Sequence, residues 1–275
     1  MSLRRLLKAE WLKARTRPLH RVLLVLLAST GVLFSLFISL NALADPAMRL
    51  HAREMLPWPH ILEQSLKMAQ VFGRLTVIIL TASITGSEYG HDTWKMVLPR
   101  QPGRGEFLLA KLLMSLLAMA LGLAAVVASF VLPGLVAARL LGLEPVGEVN
   151  VAVVGWRFAA FFLEAAFYVA ATLLASVLAR STFGGILLGV ALMITLDLVG
   201  RAHPWLALVL PDMHLQNLQA QLSGDSELLD RVQMVFEDEI SLAASASIWA
   251  LYTAAFLGAA FAVFRRRDMA GGSGG

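Results

Sequence analysis

The sequence contains no cysteine, which removes disulfides, thiolate metal centres and cysteine nucleophiles together. Charge is scarce as well. Asp, Glu, Lys and Arg make up 15% of the 275 residues, where a soluble domain carries about a quarter. No Gly-x-x-x-x-Gly-Lys-Ser/Thr phosphate loop occurs, so the chain has no ATPase of that type. None of the apolar runs holds a Gly-x-Ser-Gly tetrad, and His-Glu-x-x-His is absent, which argues against the intramembrane proteases built on them. The six histidines are scattered; His203 and His214 share one loop, and no metal site is read. What the chain has instead is apolar material, at 58% of its residues. One water-surrounded core cannot hold that much, and a bilayer is the natural sink.

Three runs are free of Asp, Glu, Lys and Arg: Val22 to Ala44, Leu112 to Ala138 (interrupted by Pro133-Gly134) and Ile240 to Phe264. Each exceeds the ~20 residues that cross a hydrocarbon layer. Three further runs carry a charge inside: about 68–87 with Arg74, 158–179 with Glu164, and 182–200 with Asp197. The expectation is an all-α integral membrane protein with spans near 22–44, 68–87, 112–136, 158–179, 182–200 and 242–264. Ala42-Leu43-Ala44 resembles a secretory cleavage site, but the apolar run before it is longer than a signal core.

Charge placement orients such a bundle. With six spans, 15 of the 23 basic residues fall on one side, in the leader, beside Lys95, Arg100, Arg104 and Lys111, at Arg180, and at Arg265 to Arg267. The opposite loops hold 12 of the 19 acids. Both termini are therefore expected in the cytoplasm, and the basic clusters are explained by anionic lipid rather than by nucleic acid.

The leader, 1–21, reads as an amphipathic helix at the membrane surface. Leu3, Leu6, Leu7, Trp11 and Ala14 follow helical spacing among Arg4, Arg5, Lys8, Lys13, Arg15 and Arg17, and Pro18 ends it. Residues 22–270 form the spanning domain, and Gly271 to Gly275 a linker or tag remnant. The loop from Arg201 to Glu239 is expected to hold a half-embedded hairpin that stops at Pro211. An acidic amphipathic helix through Leu228, Leu229, Val232, Val235 and Phe236 follows it.

The second span runs into Gly86-Ser87-Glu88-Tyr89-Gly90-His91-Asp92-Thr93-Trp94-Lys95-Met96-Val97-Leu98-Pro99, then Arg100 to Arg104 and Lys111. A ten-residue helix on the basic side, rich in Tyr89, Trp94, Met96 and Leu98, needs a protein surface to cover it. This segment resembles the ABC-2 type permeases, the membrane subunits of bacterial ABC exporters. The resemblance rests on an acid closing the second span, a following Gly-Thr and hydrophobic patch, and an Arg seven residues before a Lys: Glu88, Thr93, Arg104 and Lys111. Asp92 departs from it, standing where the family more often has Gly. Glu10-Trp11-Leu12-Lys13-Ala14-Arg15 is similar to the family's elbow helix, and Phe264 to Asp268 to its usual ending.

The resemblance implies a permease subunit in the bacterial cytoplasmic membrane, not itself an enzyme. ATP and Mg would be bound by two copies of a separate ATPase, and a second permease copy or close paralogue would complete the assembly. Tyr89 to Leu98 would be the coupling helix inserted into the ATPase. Glu88 would sit at its hinge, either pairing with Arg104 or an elbow residue or merely capping a helix. The alternative from another class is a polytopic scaffold or an intramembrane enzyme without nucleotide coupling. Cargo is not specified.

Within the second span Glu63, Lys67, Gln70, Arg74, Thr81, Thr85 and Glu88 share one helical face. An ionised side chain at depth costs ~2.5–3.5 kcal/mol on insertion scales, so Arg74, Glu164 and Asp197 need partners. Asp197 and Arg201 have the spacing of a helix pair. Two readings stay open: these groups line a translocation path, or they neutralise one another within the bundle.

Overall fold

A computed structural model describes residues 3–90, 103–145, 147, 150–202, 209–223, 229–230, 232–233 and 240–266. Across them the chain is all-helical: α1 (Leu3–Thr16), α2 (Pro18–Ala44), α3 (Pro46–Met55), α4 (His60–Gly90), α5 (Arg104–Leu140), α6 (Val151–Ala179), α7 (Thr182–Ala202), α8 (Pro211–Ser223) and α9 (Leu242–Arg266). Six of these, α2, α4, α5, α6, α7 and α9, are long and apolar enough to cross a membrane. The chain is a multi-pass membrane protein.

Local chemistry sets the helix ends. Arg17 is extended (φ −72°, ψ 126°), as a residue before proline must be, and Pro18 takes the first position of α2, where its missing N–H costs nothing. Asp45 closes α2 and opens α3, its carboxylate accepting from the Ala47 N–H at 2.8 Å. Asn150 caps α6 in the same way through the Val153 N–H. A two-residue turn joins α6 to α7, with Arg180 left-handed at φ 50° and the Ser181 hydroxyl accepting from the Gly184 N–H.

Three helices begin well before the expected spans. α4, α5 and α6 start at His60, Arg104 and Val151 rather than near 68, 112 and 158. Those expected boundaries fell just after Lys67, Lys111 and Arg157. A charge interrupts hydropathy, but it does not interrupt the i→i−4 hydrogen bonds that propagate a helix. Pro133 likewise lies inside α5, which continues through it to Leu140, as membrane helices tolerate.

α4 and α6 form the centre and are buried along most of their length, while α2, α5, α7 and α9 turn apolar faces outward. α5 packs on both α2 and α4, α7 fills the angle between α4 and α6, and α9 lies on α6. The expected hairpin before Pro211 lies mostly outside the described residues. Pro211 itself starts a helix that the sequence reading did not anticipate, because proline suits a first helical turn. That helix, α8, packs against α6 and α9 and buries Met213, His214, Leu215, Asn217 and Leu218. The Asn217 amide donates to Ser245 Oγ at 2.8 Å and to the Ile240 carbonyl at 3.1 Å, seating α8 on the start of α9. Most of the expected acidic helix lies outside the described residues; Val232 within it is buried beside Met213.

One close crossing brings α4 against the α6–α7 turn. A Cβ on Gly86 would stand 2.5 Å from Thr182 Cα and N, and backbone cannot yield as a side-chain tip can. Gly86→Val is expected to destabilise the fold by about 1–3 kcal/mol. Gly258→Val, where nothing lies within 4 Å, should change little, and thermal unfolding in lipid nanodiscs compares the two.

Candidate functional site

Two charged clusters are built into the bundle. The first lies where α1 crosses the ends of α4 and α5. Glu10 and Lys13 recur at helical spacing and share the face of α1 turned toward the bundle, and Arg17 follows directly after the end of α1. Lys111, two turns into α5, is fully buried, with Glu88 at 2% and Glu10 at 3% exposure. An ammonium has three donors, and all three are used. Lys111 Nζ donates to Glu10 Oε2 at 2.9 Å, to the Ile84 carbonyl at 2.8 Å and to Glu88 Oε1 at 3.2 Å. It also stands 4.9 Å from the centre of the Phe107 ring, a favourable cation–π distance.

The remaining oxygens are shared with the elbow helix. Lys13 Nζ donates to Glu10 Oε1 at 3.0 Å and to Glu88 Oε1 at 2.8 Å. Arg17 Nη1 donates to the Ser83 carbonyl at 3.0 Å, with its other amino group 3.9 Å from Glu88. Two carboxylates thus hold two ammonium groups and approach a guanidinium, and three helices meet at one point. Burial opposes the charge on Lys13, but Glu10 and Glu88 outweigh it and hold the ammonium above its ordinary value of 10.5. This contribution is present at neutral pH and is lost only as pH rises through that elevated value.

The second cluster lies deeper. Arg74 of α4 pairs directly through Nε with Glu164 of α6, and its Nη2 is 3.9 Å from Asp212 Oδ1 of α8. Glu164 and Asp212 are buried. Tyr168, one turn from Glu164, stands beside this group, within reach of Asp212, Arg74, Glu164 and Asp197. Nearer the α3 end, Arg157 pairs with Glu63 at 3.5 Å.

The expected residues divide unevenly between these places. Glu10, Lys13 and Glu88 meet in the first cluster. Trp11 and Arg15 of the same elbow motif point outward; the buried stripe of α1 runs through Leu6 and Glu10 instead. Glu88 takes elbow partners and Lys111, not Arg104, whose Nη1 donates to the Arg265 carbonyl at 3.0 Å. Tyr89 packs toward Leu6, Phe107 and Phe264. Thr93, Trp94, Met96 and Leu98 lie outside the described residues. Arg74 and Glu164 come together, Asp197 lies on the Tyr168 side, and Arg201 belongs to α7 with its side chain outside the described set.

Residues 47–270 match a family described as a protein of unknown function, DUF2705. The chain belongs to the DUF2705 family. The matched segment runs from α3 into α9 and beyond, so Glu88, Lys111, Arg74, Glu164 and Asp212 all lie within the DUF2705 region. Glu10, Lys13 and Arg17 precede it. No curated protein matches the chain.

Sequence reasoning missed three participants. Lys111 was visible only as a motif position at the edge of an apolar run, and its partner Glu10 is 101 residues away. Arg17 read as one basic residue among many. Asp212 was hidden because Pro211 was taken for a stop, although Pro-Asp at a helix start is itself a signal.

Removing one member of a buried ion network leaves the others uncompensated, at about 3–5 kcal/mol. Lys111→Ala is therefore expected to lower stability by that order and to release α1. Hydrogen exchange should show 3–16 losing protection first, while Arg15→Ala, at an exposed site on the same helix, leaves α1 protected.

Proposed function

We propose that the chain is the membrane permease subunit of an ATP-driven exporter of the ABC-2 type, working with two copies of a separate ATPase and a second permease copy. The observation that carries this reading is the first cluster. Glu88 ends α4, Lys111 opens α5, and both are fastened to α1 through Glu10 and Lys13. Residues 91–102 therefore lie between two anchored points, where a coupling segment would have to transmit force. A lever works only if its base does not slip, and a buried network with every Lys111 donor engaged is a stiff base.

The contact of Arg104 with Arg265 supports the orientation, since it gathers basic segments far apart in sequence at the α1 end. With Lys and Arg favouring the inner leaflet, that end and both termini would face the bacterial cytoplasm. ATP and Mg would reside in the ATPase, docked on residues 91–102 with Trp94, Met96 and Leu98 as its anchors.

The test uses the chain expressed with candidate ATPases and reconstituted in proteoliposomes. Trp94→Ala is expected to abolish ATPase co-purification and ATP-dependent export while leaving thermal stability unchanged. Export and co-purification that persist unaltered in this variant would overturn the docking assignment. Wild-type protein that retains no ATPase would favour a scaffold or an uncoupled enzyme.

A further inference from the structure

The cleft beside the second cluster has a chemistry that the bundle itself does not satisfy. It is a narrow, partly open cleft between α4 and α6, lined by Gln70, Arg74, Phe161, Glu164 and Tyr168. Two carboxylates, Glu164 and Asp212, face one guanidinium, Arg74. Among the described residues the carboxylates of this group outnumber its guanidinium, at a depth where charge is costly. Asp212 is further held in place by Gln216, which donates to its Oδ2 at 2.7 Å. The Tyr168 hydroxyl is buried, lines the cleft, and has no hydrogen-bond partner among the described residues. A buried hydroxyl left unmatched is costly, so the cleft offers an aromatic wall, an open acceptor and surplus negative charge together. That is the environment that receives an ammonium group.

A second cleft adjoins it. It lies between α2, α4 and α5 and is likewise narrow and partly open, lined by Leu27, Leu80, Met119, Leu123 and Val126, with Thr76 among the few polar groups. The two share Gly73 and Phe161. Phe161 is thus the partition, and it fits only because position 73 lacks a side chain: a Cβ there would stand 2.8 Å from the ring. A polar cleft and an apolar one, divided by one aromatic ring, suit a molecule with a charged head and a hydrocarbon tail.

We infer that these adjoining clefts bind one amphiphile, with its ammonium head beside Glu164 and Tyr168, in the field of the neighbouring Asp212, and its alkyl chain past Phe161 among Leu27, Met119 and Leu123. Arg74 is already engaged by both carboxylates, so an anionic head finds no free cation. Among the described residues no three His, Asp or Glu side chains converge as a metal ion would need, which favours an organic cation. That the bound molecule is the cargo rests on the exporter reading; the site does not, and binding is measured without ATPase or ATP.

Radiolabelled dodecylammonium is titrated against the chain in phosphatidylglycerol nanodiscs. Saturable binding at one site per chain is expected, displaced by unlabelled dodecylammonium but not by dodecyl sulfate. Asp212→Asn, which keeps its shape, should weaken binding about tenfold or more through the lost charge, and Tyr168→Phe about threefold or more. Gly73→Ala, which drives Phe161 from its seat, should lower affinity while thermal unfolding confirms a folded chain. Binding no greater than in empty nanodiscs would overturn the site. So would equal displacement by dodecyl sulfate, or an Asp212→Asn variant that binds normally. Displacement by added phosphatidylethanolamine would assign the clefts to a bilayer lipid and overturn the cargo claim. Normal binding without ATP-dependent export would sink the exporter reading alone.

Discussion

The arrangement depends on one ammonium group with no access to water. Lys111 is fully buried, and such a charge persists only when its donors find acceptors and carboxylates stand beside it. Glu10, Glu88 and the Ile84 carbonyl meet that demand, and they come from α1 and α4 while the lysine belongs to α5. The requirement of one side chain therefore fixes the relative position of three helices. Lys13 and Arg17 complete it from the elbow side, so α1 is joined to the bundle by charge as well as by its apolar stripe through Leu6.

The second cluster follows the same physics with a different result. Arg74 bridges Glu164 and Asp212 across α4, α6 and α8, and this binds the short α8 to the two central helices. Here the described carboxylates outnumber the guanidinium, whereas in the first cluster the cations outnumber the acids, and the Tyr168 hydroxyl beside them has no partner among the described residues. The first cluster resembles a structural joint whose donors are spoken for. The second keeps acceptors in reserve, and it lies beside a cleft. This contrast is the reason for assigning transmission to one and binding to the other.

Much of this was legible in the sequence, and the remainder was hidden for physical reasons. The six spanning helices follow from apolar runs, since the bilayer imposes a length and a composition. Elbow and first span separate at Pro18 because proline constrains both itself and Arg17. Helix starts were misplaced wherever a lysine or arginine bounded the run, because hydropathy records solvation whereas helices propagate by hydrogen bonds. Helical spacing placed Arg74 on a polar face but could not name its partner, for Glu164 is 90 residues distant and several acids had equal claim. Asp212 was lost with α8, whose modest apolar content and mixed polar residues resemble a loop until Asn217 and His214 find Ser245.

The central claim is that Glu10 and Lys111, which no sequence pattern connects, act as one unit. A double-mutant cycle over Glu10→Gln and Lys111→Met, followed by thermal unfolding in nanodiscs, tests it most directly. The account predicts that the double variant is more stable than the sum of the single losses implies, by about 1 kcal/mol or more, because each change already removes the other's partner. Losses that add within about 0.3–0.5 kcal/mol would show that the two charges do not depend on one another, and would contradict the joint on which the structure is read.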